Sequence, residues 1–163
     1  MMGLGLDDLE IGLTVDLGSY SFTRDNMLAF ARKYDPQPFH IDDEAAAKGP
    51  FGRLAASGWH TAAAWMKCYI ATNHAAEAQL KAKGKVPIGT RPSPGFSNLK
   101  WLQPVYPGDV VSYRTTVTGK RDLATRPGLG LLYSFNEGFN QNGVLVFSFE
   151  GKALAAKGHT SRH

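Results

Sequence analysis

The run from Ser57 to Lys81, SGWHTAAAWMKCYIATNHAAEAQLK, limits the possible folds of this chain more than any other segment. Between positions 58 and 71 its only charged residue is Lys67, so a helix built from it is apolar nearly all round and must be buried by other elements. The segments able to cover it lie downstream. Val111, Tyr113, Thr115 and Val117 alternate with Ser112, Arg114, Thr116 and Thr118, and Leu129, Leu131, Tyr133 and Phe135 repeat the alternation. A period of two belongs to strands. Asn142 and Gly143 form a two-residue hairpin signal, leading into Leu145, Phe147 and Phe149 set against Val146, Ser148 and Glu150. Phe96 to Leu102 supplies a further strand.

Upstream of the apolar helix, Leu13, Val15 and Leu17 alternate with Thr14 and Asp16, which predicts a half-buried strand ending near Ser19. Thr23 is placed to cap a helix from Arg24 to about Tyr34, with Met27, Phe30, Ala31 and Tyr34 on one face. Pro36 ends that helix because the residue before a proline, Asp35, is pushed out of the α region. Asp42 caps a second, short helix whose Asp43 and Glu44 suit the positive end of its dipole, and Gly49 and Pro50 end it. One strand, then helices, then four strands joined by short turns predicts an α+β fold, a five-stranded antiparallel sheet packed on one long helix. Open sheet edges of this kind favour pairing with a second copy, so a homodimer is expected.

With 163 residues and a hydrophobic fraction of 43%, the chain fits a single domain over 1–163 and is not a disordered one. The 18 Lys and Arg against 14 Asp and Glu are scattered rather than clustered, which argues against nucleic acid as a partner. Cys68 is alone, so no intrachain disulfide forms and a reducing compartment is expected. The longest uncharged stretch, Leu54 to Met66, has thirteen residues, too few to cross a membrane, which takes about 20. MMGLGLDDLE has no basic segment before an apolar run, so no signal peptide is read and a cytoplasmic location is expected.

The segment most suited to chemistry is YDPQPFHID. Pro36 and Pro38 stiffen it and push Asp35 and Gln37 toward extended backbone. Asp35 and His40 are then an acid and an imidazole on a preorganised loop, as general acid–base catalysis requires. The same residues also read as pure structure, with Asp35 a helix-ending turn residue and His40 a packing residue ahead of the Asp42 cap. His40, Asp42 and Asp43 do not make a metal site, since Asp42 serves as a cap and no Cys or second His stands at ligand spacing. Ser57 and His60 lack the G-x-S-x-G elbow of a nucleophile, so Ser57 reads as a helix cap. Gly3 with Gly5 and Gly128 with Gly130 read as turns, and Cys68 as a small core residue. Trp59, Trp65, Met66, Tyr69, Phe39 and Phe51 read as core or as a substrate pocket, and His159 and His163 belong to a polar tail.

YDPQPFHIDDEAAAKGPFGRLAASGWHTAA resembles the signature of the MaoC-like, or (R)-specific enoyl-CoA hydratase, family, and the resemblance extends to WLQPVYPGD, Trp101 to Asp109. It implies a hot-dog fold, the sheet wrapped round the central helix. It also implies an acyl-CoA thioester as substrate, a homodimer or dimer of dimers, and no metal or redox cofactor. Asp35 and His40 match the family's catalytic pair, which activates a water for syn addition to an enoyl thioester. Gly58 matches the glycine whose N–H binds the thioester oxygen. Gln37, where the family usually has Asn, and Ser57, where it often has His, depart from the pattern and with Trp59 are placed as substrate-binding residues. Some of Lys48, Arg53, Arg91 and Lys100 are expected to meet the coenzyme A phosphates, and the Lys81 to Gly95 connection to form the tunnel mouth. The same fold also hosts acyl-CoA thioesterases and, in principle, non-catalytic acyl-thioester binding modules. Thioesterases and carrier-protein dehydratases of this fold place a carboxylate on the central helix, and here no acid occurs from Gly58 until Glu77.

Overall fold

A computed structural model describes residues 1–89 and 91–158, so His159 and His163 lie outside the described residues. The apolar run forms one helix, α4, from Gly58 to Ala82. Before it come strand β1, Thr14–Ser21, and helices α1, Arg24–Tyr34, α2, Pro38–Ile41, and α3, Asp43–Ala47. After it come β2, Gly95–Trp101, β3, Val110–Asp122, β4, Leu129–Phe139, and β5, Leu145–Ala156. The five strands form one sheet in the order β1-β3-β4-β5-β2, with every neighbouring pair antiparallel.

Two caps act as the residues predict. The Thr23 hydroxyl accepts from the Asn26 N–H at 3.2 Å, and the Asp42 carboxylate accepts from the Ala45 N–H at 2.8 Å. α2 was not anticipated. Pro38 supplies its first helical position, where the missing N–H costs nothing, and the turn is only four residues long, too short to show a helical period. Asp35 is driven out of the α region as expected, but to φ −150 and ψ 66 rather than to extended backbone, whereas Gln37 is extended at φ −70 and ψ 142.

The core lies between α4 and the concave side of the sheet, where Val111, Tyr113, Thr115 and Val117 face inward and are wholly buried. The Tyr113 hydroxyl donates to the Thr61 carbonyl at 2.9 Å, which ties sheet to helix. Burial this complete stabilises by about 1.5–3 kcal/mol for each large apolar side chain. In β4 the apolar row does not face the helix. Thr115 pairs with Asn136 and Val117 with Ser134, so Leu132, Ser134 and Asn136 point inward and Leu129, Leu131, Tyr133 and Phe135 take the other face. Asn142 and Gly143 do form a reversal, but in a three-residue loop closed by Asn140 N–H on the Val144 carbonyl, with Gly143 at φ 73. That is a turn followed by a left-handed residue rather than a two-residue hairpin.

α4 is not covered on all sides. His60, Ala64, Trp65 and Cys68 are buried, while Trp59, Ala63, Met66 and Ile70, at i, i+4, i+7 and i+11, form an exposed apolar stripe. Tyr34 likewise leaves the predicted face of α1 and stands 62% exposed. Among the described residues no helix is long and apolar enough to cross a membrane.

Candidate active site

α1 stops at Asp35, whose N–H still bonds the Ala31 carbonyl at 2.8 Å. From there the two prolines and the single turn of α2 swing the chain back, so that His40 returns beside Asp35. Its Nε2 stands 3.5 Å from Asp35 Oδ2. The His40 Nδ1 lies 2.7 Å from the Ala55 carbonyl oxygen, which can only accept, so Nδ1 carries the hydrogen. In the neutral ring Nε2 is therefore a lone pair aimed toward the carboxylate. Phe39 and Phe51 flank the imidazole, with ring centroids at 4.6 and 6.3 Å.

Asp35 is held by donors on both oxygens. Gln37 Nε2 donates to Oδ1 at 2.7 Å, and Ser57 Oγ donates to Oδ2 at 2.6 Å. Burial by itself would raise this carboxyl, but the Ser57 and Gln37 hydrogen bonds, with His40 beside them, hold it below the usual carboxylate range. Both residues therefore orient the acid, and Ser57 is not the helix cap expected of it. Its backbone occupies the N-cap position of α4 and its carbonyl accepts from the His60 N–H, but its side chain bonds no helix N–H. The orientation that donates the hydroxyl hydrogen to Asp35 leaves the oxygen without a helix N–H to accept from.

Gly58 opens α4, where backbone N–H groups have no partner within the helix and the dipole is positive. The Trp101 indole lies so close that a Cβ on Gly58 would sit 2.4 Å from its ring. Trp59 meets Trp101 edge to face at 5.1 Å. Asp35, Gln37, His40, Gly58, Trp59 and Trp101 all line one cavity of 420 Å³. A second cavity, of 350 Å³, runs along α4 past Trp59, Ala62, Trp65 and Tyr69, so Trp59 borders both.

Other expected groups lie apart. His60 turns away from Ser57: it stacks on Phe30 at 4.6 Å, meets the Tyr20 hydroxyl at 3.3 Å, and burial lowers its pKa to about 4. Asp43 pairs with Arg24 at 2.6 Å and Asp42 caps α3, so neither approaches His40 as a ligand partner. Among the described residues no cluster of three or more His, Cys, Asp or Glu could hold a metal ion. Arg91 borders the second cavity, as do Ile88, Gly89 and Ser93 of the connection expected at the tunnel mouth, whereas Lys48, Arg53 and Lys100 line neither cavity. Arg53 instead stacks over the Tyr106 ring at 3.6 Å. Sequence reasoning missed the Ala55 carbonyl, a backbone group with no side-chain signal, and the closeness of Trp101, which depends on how β2 ends.

A MaoC like domain matches residues 8–129. An uncharacterized Bacillus subtilis protein, YdeM, is 30% identical over 91% of this chain and 96% of its own. The crystal structure of a MaoC-like dehydratase from Rhodospirillum rubrum is 31% identical, with a TM-score of 0.80 over 95% of this chain and 98% of that one. The (R)-hydratase from A. caviae involved in PHA biosynthesis is 27% identical, with a TM-score of 0.63 over 91% of this chain and 98% of that one. The five-stranded antiparallel sheet with its long helix is thus a hot-dog fold. With three quarters of its length inside the matched domain, the chain belongs to the MaoC-like dehydratase family.

Proposed function

We propose that the protein is an (R)-specific enoyl-CoA hydratase, acting in reverse as a 3-hydroxyacyl-CoA dehydratase. The observation that carries this reading is the pair of acceptors, Asp35 Oδ2 and His40 Nε2, facing each other at 3.5 Å in one cavity with the start of α4. A water between them donates one hydrogen to each, which leaves its oxygen lone pairs free to attack. The oxygen adds to C3 of a 2-enoyl thioester as one member of the pair takes a proton. The double-bond electrons move through the thioester carbonyl onto its oxygen, and C2 then collects the proton from the pair. Both transfers come from one face, which makes the addition syn.

The negative charge that develops on the thioester oxygen suits the Gly58 N–H and the positive end of α4. A donor of this type is worth roughly 3–4 kcal/mol in related reactions. Asp35 and His40 are the catalytic residues in this reading, Ser57 and Gln37 hold Asp35, and Trp59 borders the acyl chain. The exposed stripe Trp59, Ala63, Met66 and Ile70 supports a homodimer as the working form.

The test is hydration of a short enoyl-CoA, followed by loss of its ultraviolet absorbance and chiral analysis of the product. An (R)-3-hydroxyacyl product is expected, with Asp35→Asn and His40→Ala each lowering kcat by about 10² to 10⁴. Asp35→Asn should bind acyl-CoA nearly as tightly as the parent. Release of free thiol instead would assign a thioesterase, and binding without any turnover a non-catalytic acyl-thioester binding module.

A further inference from the structure

The second cavity begins at Trp59, and the sheet shows which way it runs from there. Phe147 pairs with Trp101, whose indole abuts Gly58, so this part of β5 lies level with the start of α4. Phe149 packs on Trp65 at 4.7 Å, two turns further along the helix. Beyond Phe149 the inward positions of β5 shrink to Gly151, Ala153 and Ala155, which all line the cavity opposite β4. Residues this small leave a channel between sheet and helix.

Residues 1–4 occupy its far end. Met1 and Leu4 line the cavity, and Met1 belongs to a buried cluster with Leu132 and Ala155, against which Leu4 and Tyr69 pack. α4 carries a residue suited to hold this segment. Asn73, one turn past Tyr69, is buried in an otherwise apolar stretch; its Nδ2 donates to the Tyr69 carbonyl at 2.9 Å and its Oδ1 accepts from the Met2 N–H. A buried amide is costly unless its polar atoms are paired, and the Met2 backbone pairs this one. On its other side the segment is tied to the connection before β2, where the Gly3 carbonyl accepts from the Ile88 N–H at 2.8 Å. Gly3 itself has φ 67, and a Cβ there would lie 2.8 Å from Leu80 Cδ1 and 3.0 Å from the Pro87 ring. The segment is thus wedged between the end of α4 and that connection.

We propose that Met1 and Leu4 form the stop that sets the longest acyl chain the site accepts, which makes the substrates thioesters of short to medium chains. This inference rests on the reading of the first cavity as a thioester site and of Trp59 as the border the chain passes. From Gly58 to Tyr69, α4 advances about 16 Å. An extended chain advances about 1.2 Å per bond, so the limit falls at about a dozen carbons.

The test is kcat/KM for straight-chain 2-enoyl-CoA thioesters, from well below that length to well above it. Leu4→Ala removes carbon from the stop and should raise kcat/KM about tenfold for chains roughly two carbons past the parent's limit, the worth of two buried methylenes, while short chains keep their rate. Ala153→Leu fills the channel ahead of the stop and should move the limit down by about two carbons, again sparing short chains. A change that merely loosens the fold lowers all lengths alike. A limit that stays where it was in either variant overturns the proposal, and hydration of short chains then leaves the thioester reading standing. If no enoyl-CoA is hydrated at any length, that reading falls, and titration calorimetry of saturated acyl-CoA thioesters against the same two variants decides the stop by the same shifts.

Discussion

Replacing Ser57 by alanine removes one bond from Asp35 and leaves the rest of the site in place. The bond is 2.6 Å long, within the range of a hydroxyl donating to an ionised carboxylate. Hydrogen bonds to charged groups contribute about 1.5–3 kcal/mol, and 1.36 kcal/mol corresponds to one pKa unit. The Asp35 carboxyl should therefore titrate about 1–2 units higher in Ser57→Ala. Burial, which opposes ionisation, would then be countered only by Gln37 and His40. The sign for stability follows. A carboxyl held low in the folded state stabilises it above the ordinary carboxylate range, and that contribution is lost as pH falls through the folded value. Ser57→Ala shrinks it. Carbon-13 NMR of the labelled Asp35 carboxyl measures the titration directly, without any substrate, and the acid limb of the hydration profile should move up by the same amount. An Asp35 titration that is unchanged, or moves to lower pH, would refute the claim that Ser57 holds the acid rather than the helix.

Burial depresses His60 to about 4, so between pH 6.5 and 4 the unfolded chain binds a proton that the folded one does not. Stability should fall by about 3 kcal/mol across that window, and denaturant unfolding of His60→Phe should show a correspondingly flatter pH dependence. In Gly58→Ala the new Cβ meets the Trp101 ring, so kcat/KM for enoyl-CoA should fall by about 10² with circular dichroism unchanged. A variant of parental activity would place the oxygen-binding N–H elsewhere. Met66→Glu puts a charge into the exposed stripe of α4, and sedimentation should show a smaller species than the parent if that stripe joins two copies.

Much of this was legible in the residues because the signals were local. The Thr23 and Asp42 caps, the period of two in β3 and the proline-bounded Asp35 to His40 segment each depend on neighbours a few positions away. What escaped depends on partners far along the chain. The Ser57 hydroxyl had a capping role available three residues ahead, and the carboxylate that takes it stands 22 positions back. A hydrogen bond to a charged acceptor is about twice as strong as a neutral one, so the side chain turns toward Asp35 and its oxygen accepts from no helix N–H. In β4 the large apolar residues mark a face without saying which face meets α4. The register with β3 decides that, and it turns Leu132, Ser134 and Asn136 inward. The tautomer of the His40 ring is set only through the Ala55 carbonyl, fifteen residues away.

Glycines in this chain answer to two different demands, and the difference separates fold from site. Gly143 has φ 73, a left-handed backbone that a side chain strains, and nothing stands within 4 Å of the place a Cβ would occupy. It serves the turn. Gly58 and Gly151 have no positive φ, and what a Cβ would meet there is the Trp101 ring in one case and the Ser134 and Asn136 side chains in the other. Neither is required by its own helix or strand, where glycine costs roughly 0.5–1 kcal/mol relative to alanine. A local disadvantage retained in two regular elements, each at the wall of a cavity bordered by Trp59, is explained by the space it leaves. Gly58 leaves it beside Asp35 and His40, where the thioester carbonyl of the proposed substrate would come close to backbone. Gly151 leaves it in the second cavity, beside the Ser134 and Asn136 side chains of the neighbouring strand.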